Sequence, residues 1–351
     1  MLPYWLLFGI CALGSLITYR ATGANSRSLV YLTIIGVAIC LMIGLRYHVG
    51  GDWFGYVRIF KRIELAGFFG SIGSSDPGYI LINWLSAKMG GGLWLTDLLC
   101  AIIFTTGLIR FCWRQTSPWL ALVVAVPYLI IVVAMGYTRQ AAAIGLIMFG
   151  LSAKGETTLL RMLFLVSLAA AFHKTAIVVL PLFALSRTTN RFVIALIGGL
   201  MVLLLYYLLL SSSVDKLMHN YVTEIYASQG AAIRVAMDVV AASLFFISRK
   251  RLGLSPAEDK LWRNFSLAAL FLLILLTLTT ASTAVDRLAL YVIPLQLLVL
   301  SRLPSAWGLN GSGSLPITAA VIGYSGLVEY IWLTRATNAS AWVPYQAFGV
   351  I

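Results

Sequence analysis

His173 and Lys174 stand side by side between two apolar runs, in AAAFHKTAIVVLPL from Ala169 to Leu182. Ionisable groups are expensive at membrane depth and persist there where they face a water-filled cavity or serve a function. A neutral imidazole, with an ordinary pKa of about 6.5, accepts a proton at working pH, so His173 is a candidate base. Lys174 beside it disfavours the protonated ring. The other candidates are mostly arginines: Arg46, Arg139, Arg234 and Arg287. Their planar, permanently charged forks match phosphate oxygens, which points to a phosphate or diphosphate ligand rather than a pH-driven carrier step. In a membrane cavity, a lipid phosphate meets both conditions.

The flanking residues refine this chemistry. GLRYHVGGDWFGY sets Arg46 and Asp52 around glycines that let the backbone turn tightly and approach a ligand. A loop salt bridge between the two is the competing reading, and Asp52 is the reserve base. MGYTRQAA puts Arg139 beside Tyr137 and Gln140, and QGAAIR supplies Gln229 and Arg234. VDRLALY spaces Arg287 and Tyr291 four apart, on one helix face. Tyr291 reads equally well as an interfacial aromatic anchor. Any external arginine also has a bland reading, as a snorkelling side chain or an ion-pair partner. That reading is the stronger one for Arg58, Lys61 and Arg62 in their solvated run with Glu64. His48 and His219 read as exposed loop histidines.

Several chemistries are excluded. There is no G-x-x-x-x-G-K-[ST], no G-x-G-x-x-G after a strand, no Asp-x-Asp pair, no G-x-S-x-G and no Cys/His metal spacing. Nucleotide, nucleic-acid, hydrolase and metal readings therefore lack support, and no cofactor is expected. Cys11, Cys40, Cys100 and Cys112 fit buried, reduced thiols.

The elements that must position these residues are membrane helices. Only 11% of the residues are charged and mean hydropathy is +0.93, against about 25% charged in ordinary soluble domains. The expectation is an all-α polytopic membrane protein, a single membrane domain over 1–351. About twelve transmembrane helices are expected, at 2–19, 29–45, 93–109, 119–135, 140–153, 158–172, 175–185, 192–210, 235–247, 265–281, 288–300 and 315–332. The first apolar run is read as a retained span rather than a cleaved signal. Residues 46–92 form an external loop holding one interfacial or re-entrant helix, DPGYILINWLSAK, and 211–234 form a second external loop. The positive-inside rule places Arg110, Arg114, Lys154, Arg187, Arg249 to Arg251 and Arg302 inside and both termini outside. The runs 140–153 and 175–185 are shorter than the roughly 17 residues of a full crossing, so Arg139 and His173 should sit below the outer surface, in an outward-facing cationic cavity.

The ordered set R-x(5)-D…Y, DPGY, R-Q, F-H-K-x-A, R-x(3)-Y and a late VPY resembles the EpsG-type Wzy polymerases of bacterial exopolysaccharide and O-antigen synthesis. The resemblance spans most of the chain. It implies a lipid-dependent glycosyltransferase of GT-C-like architecture in the bacterial cytoplasmic membrane, with its active site facing outward. The implied substrates are undecaprenyl-diphosphate-linked repeat units, and the implied partners are membrane lipid, a chain-length regulator and a flippase. By matching position, Arg46, Asp52, Arg139, His173, Arg234 and Arg287 form the functional set, with Lys174, Tyr137, Gln140 and Tyr291 as further contacts. An O-antigen ligase would share cavity and donor. A flippase or transporter would need matched access from inside, which the short basic inner loops do not suggest.

Overall fold

The computed structural model describes residues 1–20, 26–153, 158–190, 192–194, 196–200, 203, 230–279, 282–308 and 314–349. Most of the expected 192–210 span, the 211–229 part of the second external loop, and Gln229 and His219 lie outside the described residues.

The described chain is all-helical, with one isolated backbone bridge between Arg46 and Ala347. Its helices are α1 (Leu2–Thr18), α2 (Ser26–Gly44), α3 (Trp53–Gly70), α4 (Pro77–Lys88), α5 (Gly92–Trp113), α6 (Pro118–Ala125) and α7 (Thr138–Leu151). They continue as α8 (Leu159–Phe172), α9 (Val179–Arg187), α10 (Ala231–Ser248), α11 (Pro256–Leu278), α12 (Ser282–Ala289), α13 (Ile293–Ala306) and α14 (Leu315–Arg335). Six of them, α1, α4, α6, α11, α13 and α14, begin with proline in the first two positions, where its missing N–H costs no helical bond. Ser255 and Glu258 add a reciprocal capping box to α11.

Among the described residues, α5, α10 with its terminal turn, α11 and α14 are long and apolar enough to cross a membrane. The α12 and α13 pair does so as one broken span, bent by 46°. Five more apolar helices are shorter, including α7 and α8 at 14 residues each. The molecule is a polytopic membrane protein, and its described residues hold four full-length crossings, or five with the broken span, beside these shorter apolar helices.

The core is built where helices are apolar all round. α6 runs directly into a π-helical stretch, Val126–Ala134, in which every residue is buried. Pro127 sits at its start and has no N–H to donate, a local cause for the departure from α geometry. α13 is likewise buried along Ile293–Pro304. α5 and α7 cross closely: a Cβ on Gly107 would fall 1.9 Å from the Gly145 carbonyl oxygen, so small residues permit the approach.

The 46–92 segment departs from expectation by holding two helices. Trp53, Tyr56, Phe60 and Ile63 recur at helical spacing and bury one face of α3, which bends at Gly67. α4 packs against the bundle as well, burying Tyr79, Ile80, Ile82, Asn83 and Ser86. Its Gly78 rides on the end of α8, where a Cβ would come within 2.9 Å of the Ala171 carbonyl oxygen.

The C-terminal segment folds back across the same end. Trp342 is 2% exposed and donates from Nε1 to the Ile131 carbonyl at 2.8 Å, while Tyr4 donates to the Trp342 carbonyl at 2.7 Å. Backbone bonds from Tyr47 to Gln346 and from Gly50 to Ala341 tie this segment to the loop that leads to Asp52.

Candidate functional site

Three interruptions in the helices converge at one end of the bundle. The first lies between the π-helical stretch and α7, where Tyr137 is the N-cap and Thr138, Arg139 and Gln140 open the helix. In the second, α8 stops at His173 in extended conformation and a 3-10 turn, Lys174–Val178, leads into α9. The third is the break between α12 and α13, which holds Tyr291. Irregular backbone at membrane depth is tolerated where it is buried in protein or lines a water-filled cavity.

These breaks meet through side chains. His173 Nδ1 lies 2.6 Å from Thr175 Oγ1 and 3.2 Å from the Tyr291 hydroxyl. Thr175 and Tyr291 are themselves 3.3 Å apart. The two hydroxyls fix the ring through Nδ1, and no described residue bonds Nε2. Gln140 donates to the Arg287 carbonyl at 2.6 Å, joining α7 to α12. The charges of Arg287, Arg139 and Lys174 all act on His173. Arg287 and Lys174 are exposed, while Arg139 and His173 are half-buried.

Two aspartates approach from the turns that precede α3 and α4. Both Asp52 and Asp76 occupy helix N-caps, of α3 and α4, yet neither uses its side chain to cap. Asp76 instead accepts from Arg139 at 2.8 Å, with Ser75 3.3 Å from the same nitrogen. Asp52 is exposed and faces Arg287 and Arg139. Burial by the surrounding protein pushes its carboxyl up, and the two arginines pull it back down. Asp52, Lys174 and Arg287, exposed, and Arg139 and His173, half-buried, make up a polar recess on this solvent-facing end.

Asp52, Arg139, His173, Lys174 and Arg287, with Gln140 and Tyr291 behind them, are therefore brought together. Arg46 and Arg234 are placed differently. Arg46 is 1% exposed and donates to Asp97 at 3.0 Å, Thr138 at 2.7 Å and the Ile43 carbonyl at 2.6 Å. The loop salt bridge with Asp52 does not form, because the Arg46 side chain turns under the loop toward α5. Arg234 is 7% exposed and pairs with Asp286 at 2.6 Å, its guanidinium 5.3 Å from the Tyr128 ring and 6.0 Å from that of Tyr137. Adjacent residues of α12 thus divide the work: Asp286 locks to α10, and Arg287 faces the recess. Tyr291 is buried against His173 rather than anchored at an interface.

Sequence reasoning missed Asp97, Thr138, Thr175, Asp286 and Trp342 as members of this assembly. Asp76 was legible only as a helix start. Asp286 had a signal, since it adjoins Arg287. A buried partner such as Asp97 had none, because the pairing crosses 51 residues of chain. No group of three or more His, Cys, Asp or Glu side chains among the described residues is arranged to hold a metal.

Comparison with curated proteins and with solved structures gives no match. A model of the EpsG family matches residues 29–347, a range that takes in both aspartates, every arginine of the recess and its supports, His173, Tyr291 and the Trp342 segment that braces them. The chain belongs to the EpsG family, a family of Wzy-type polysaccharide polymerases.

Proposed function

We propose that this protein polymerises lipid-linked glycan repeats, transferring a growing chain from an undecaprenyl-diphosphate donor to a hydroxyl of an incoming lipid-linked repeat unit. The reading places the recess at the outer face of a bacterial cytoplasmic membrane, in a GT-C-like bundle of about twelve crossings. Family membership supports a polysaccharide polymerase role. The observation that carries the finer reading is the meeting of Asp52, Arg139, His173, Lys174 and Arg287 where three helices break.

In this scheme the bond between the anomeric carbon and the diphosphate oxygen breaks as the acceptor oxygen attacks. The diphosphate leaves with the bonding electrons, and Arg139, Arg287 and Lys174 stabilise the charge that develops on it. The acceptor proton passes to His173 Nε2, the ring being held by Thr175 and Tyr291 through Nδ1. Asp52 is the alternative acceptor for that proton. Arg46 and Arg234 act as positioning residues. Arg46 joins α2 to α5 and α7, and Arg234 joins α10 to α12.

The test is incubation of purified protein with an isolated lipid-diphosphate repeat unit, followed by a gel. A ladder of products is expected. Transbilayer movement of the lipid without a ladder makes the protein a flippase, and a single transfer to a different acceptor makes it a ligase.

A further inference from the structure

Away from the recess, two concave features meet at Arg114. One is an apolar groove of about 520 Å³ between α2 and α5, walled by Leu29, Val37, Cys40, Ile102, Thr106 and Trp113. Arg110 and Arg114 also line it. The other is a polar cavity of about 550 Å³, lined in part by Arg114, Gln115, Arg187, Ser255, Glu258 and Arg302. Both volumes fall within the ~300–1,000 Å³ of ordinary ligand sites. This is the end of the bundle opposite the recess, since α7 runs from Arg139 to Leu151 and α13 from just beyond Tyr291 to Ala306.

Arginines kept only to satisfy the insertion rule would extend into solvent. Arg110 and Arg114 do not. They lie four apart on one helix face, and each is tethered through Nε to Ser152: Arg110 to its hydroxyl at 3.1 Å, Arg114 to its carbonyl at 3.1 Å. Arg110 also lies 4.5 Å over the Phe149 ring. Among the described residues, no partner takes the terminal amino groups of either guanidinium and neither side chain pairs with a carboxylate. In the adjoining cavity three arginines stand against Glu258, whose carboxylate is already used by the Ser255 backbone N–H at the α11 cap.

We propose that Arg110, Arg114 and the α2/α5 groove form a site for an anionic glycerophospholipid of the leaflet at this arginine-rich end. One acyl chain lies in the groove. The two forks hold the headgroup phosphate, and the polar cavity beyond Arg114 receives the rest of the headgroup. An apolar groove ending in fixed guanidiniums selects for a lipid with a negative headgroup, because a zwitterionic lipid carries its own cation to the same place. Ser152 closes the end of α7, so a lipid held there braces the helix that begins at Arg139.

The test uses the full-length protein in uncharged detergent, titrated with phosphatidylglycerol, with phosphatidylcholine of the same chains, or with glycerol phosphate alone. Bound lipid is followed by native mass spectrometry and stability by thermal unfolding. Wild-type protein is expected to retain phosphatidylglycerol selectively and to unfold at higher temperature with it. Replacing both Arg110→Gln and Arg114→Gln should weaken that selectivity by about tenfold or more. Thr106→Trp, which plugs the groove without touching the charges, should reduce retention as well. Arg62→Gln, an exposed arginine on α3, should leave it unchanged. Equal retention of the two lipids by wild-type protein overturns the site, whether or not the variants fold. So does full selectivity in the folded double variant. Stabilisation by glycerol phosphate as strong as by the lipid would make the cavity a soluble-anion site instead. Polymer synthesis is not the readout, so the outcome is independent of the function proposed above.

Discussion

At the residue scale, each charged side chain is defined by what opposes it. His173 is held through Nδ1, with Nε2 left without a described partner, whereas Arg46 is consumed by Asp97 and Thr138. These two residues should fail differently when removed. His173→Ala is expected to insert, fold and bind lipid-linked donor while losing about 10²- to 10⁴-fold in polymerisation rate, read from single-turnover ladders. Near wild-type rate in a folded His173→Ala protein would shift the role of base to Asp52. Arg46→Met leaves the Asp97 carboxylate buried without its cation, and breaking such a pair costs about 3–5 kcal/mol. Its thermal unfolding in detergent should drop accordingly, and Arg46→Met combined with Asp97→Leu should recover part of the loss. Asp52, in the loop outside the helices, gives a pH prediction. Its carboxyl is raised by burial and lowered by Arg287 and Arg139, so Arg287→Gln removes a lowering influence. If ionised Asp52 is required, the acid limb of kcat/KM moves to higher pH in that variant, and a limb that stays in place excludes Asp52 as the titrating group.

At the element scale, the recess depends on one junction between distant motifs. Gly50 has φ +107°, and a Cβ there would fall 2.3 Å from the Met135 carbonyl oxygen; a Cβ on Gly136 would fall 2.4 Å from the Trp342 ring. The loop leading to Asp52, the break before α7 and the C-terminal segment are thus pressed together. Gly50→Ala should cost at least ~1–3 kcal/mol through strain at positive φ, and it should displace Asp52 from Arg139 and Arg287. The expected readout is a fall in kcat larger than any rise in KM, together with a lower unfolding temperature. An unchanged kcat would show that the junction braces the fold alone. The helix boundaries themselves were largely legible. α1, α5, α7, α8, α10 and α14 lie within a few residues of their apolar runs, and the helix start at Asp76-Pro77 is where the dipeptide places it. α3 was missed although Trp53, Tyr56, Phe60 and Ile63 carry the helical period, because its many charges read as a solvated loop. The π-helical stretch after Ala125 carries no periodic signature of its own, only Pro127.

At the scale of the whole molecule, charge and site separate along the bundle. Arg114, Arg187, Arg302 and the Ser255–Glu258 cap meet at one end, and the recess with His173, Arg139 and Arg287 lies at the other. Reporter fusions should therefore put Arg249 to Lys260 inside and both termini outside. A reporter at the C-terminus that reads as internal would move the recess to the wrong face and remove the outward-facing reading. Arginines can take the part that a divalent cation plays in other diphosphate chemistry. Polymerisation should accordingly survive excess EDTA, and activity lost in chelator and restored by magnesium would reveal a metal requirement that these residues do not predict.

The sequence by itself determined the solvent and the chemistry. An apolar chain with few charges can only be a membrane bundle, and arginines at the ends of short apolar runs can only be kept near water or near anions. It also marked the helix ends at Asp76-Pro77, Arg139 and His173, because proline and charge punctuate the chain locally, but not the start of α3 or the break at Tyr291. Tertiary structure alone decided which arginines remain available. Arg46, Arg139, Arg234 and Arg287 look alike in sequence, and what separates them is a partner from a distant helix: Asp97 takes the first, Asp286 takes the third, and Asp76 holds the second at the rim while Arg287 stays exposed. Pairing of buried charges follows from packing in three dimensions, and no spacing along the chain encodes it.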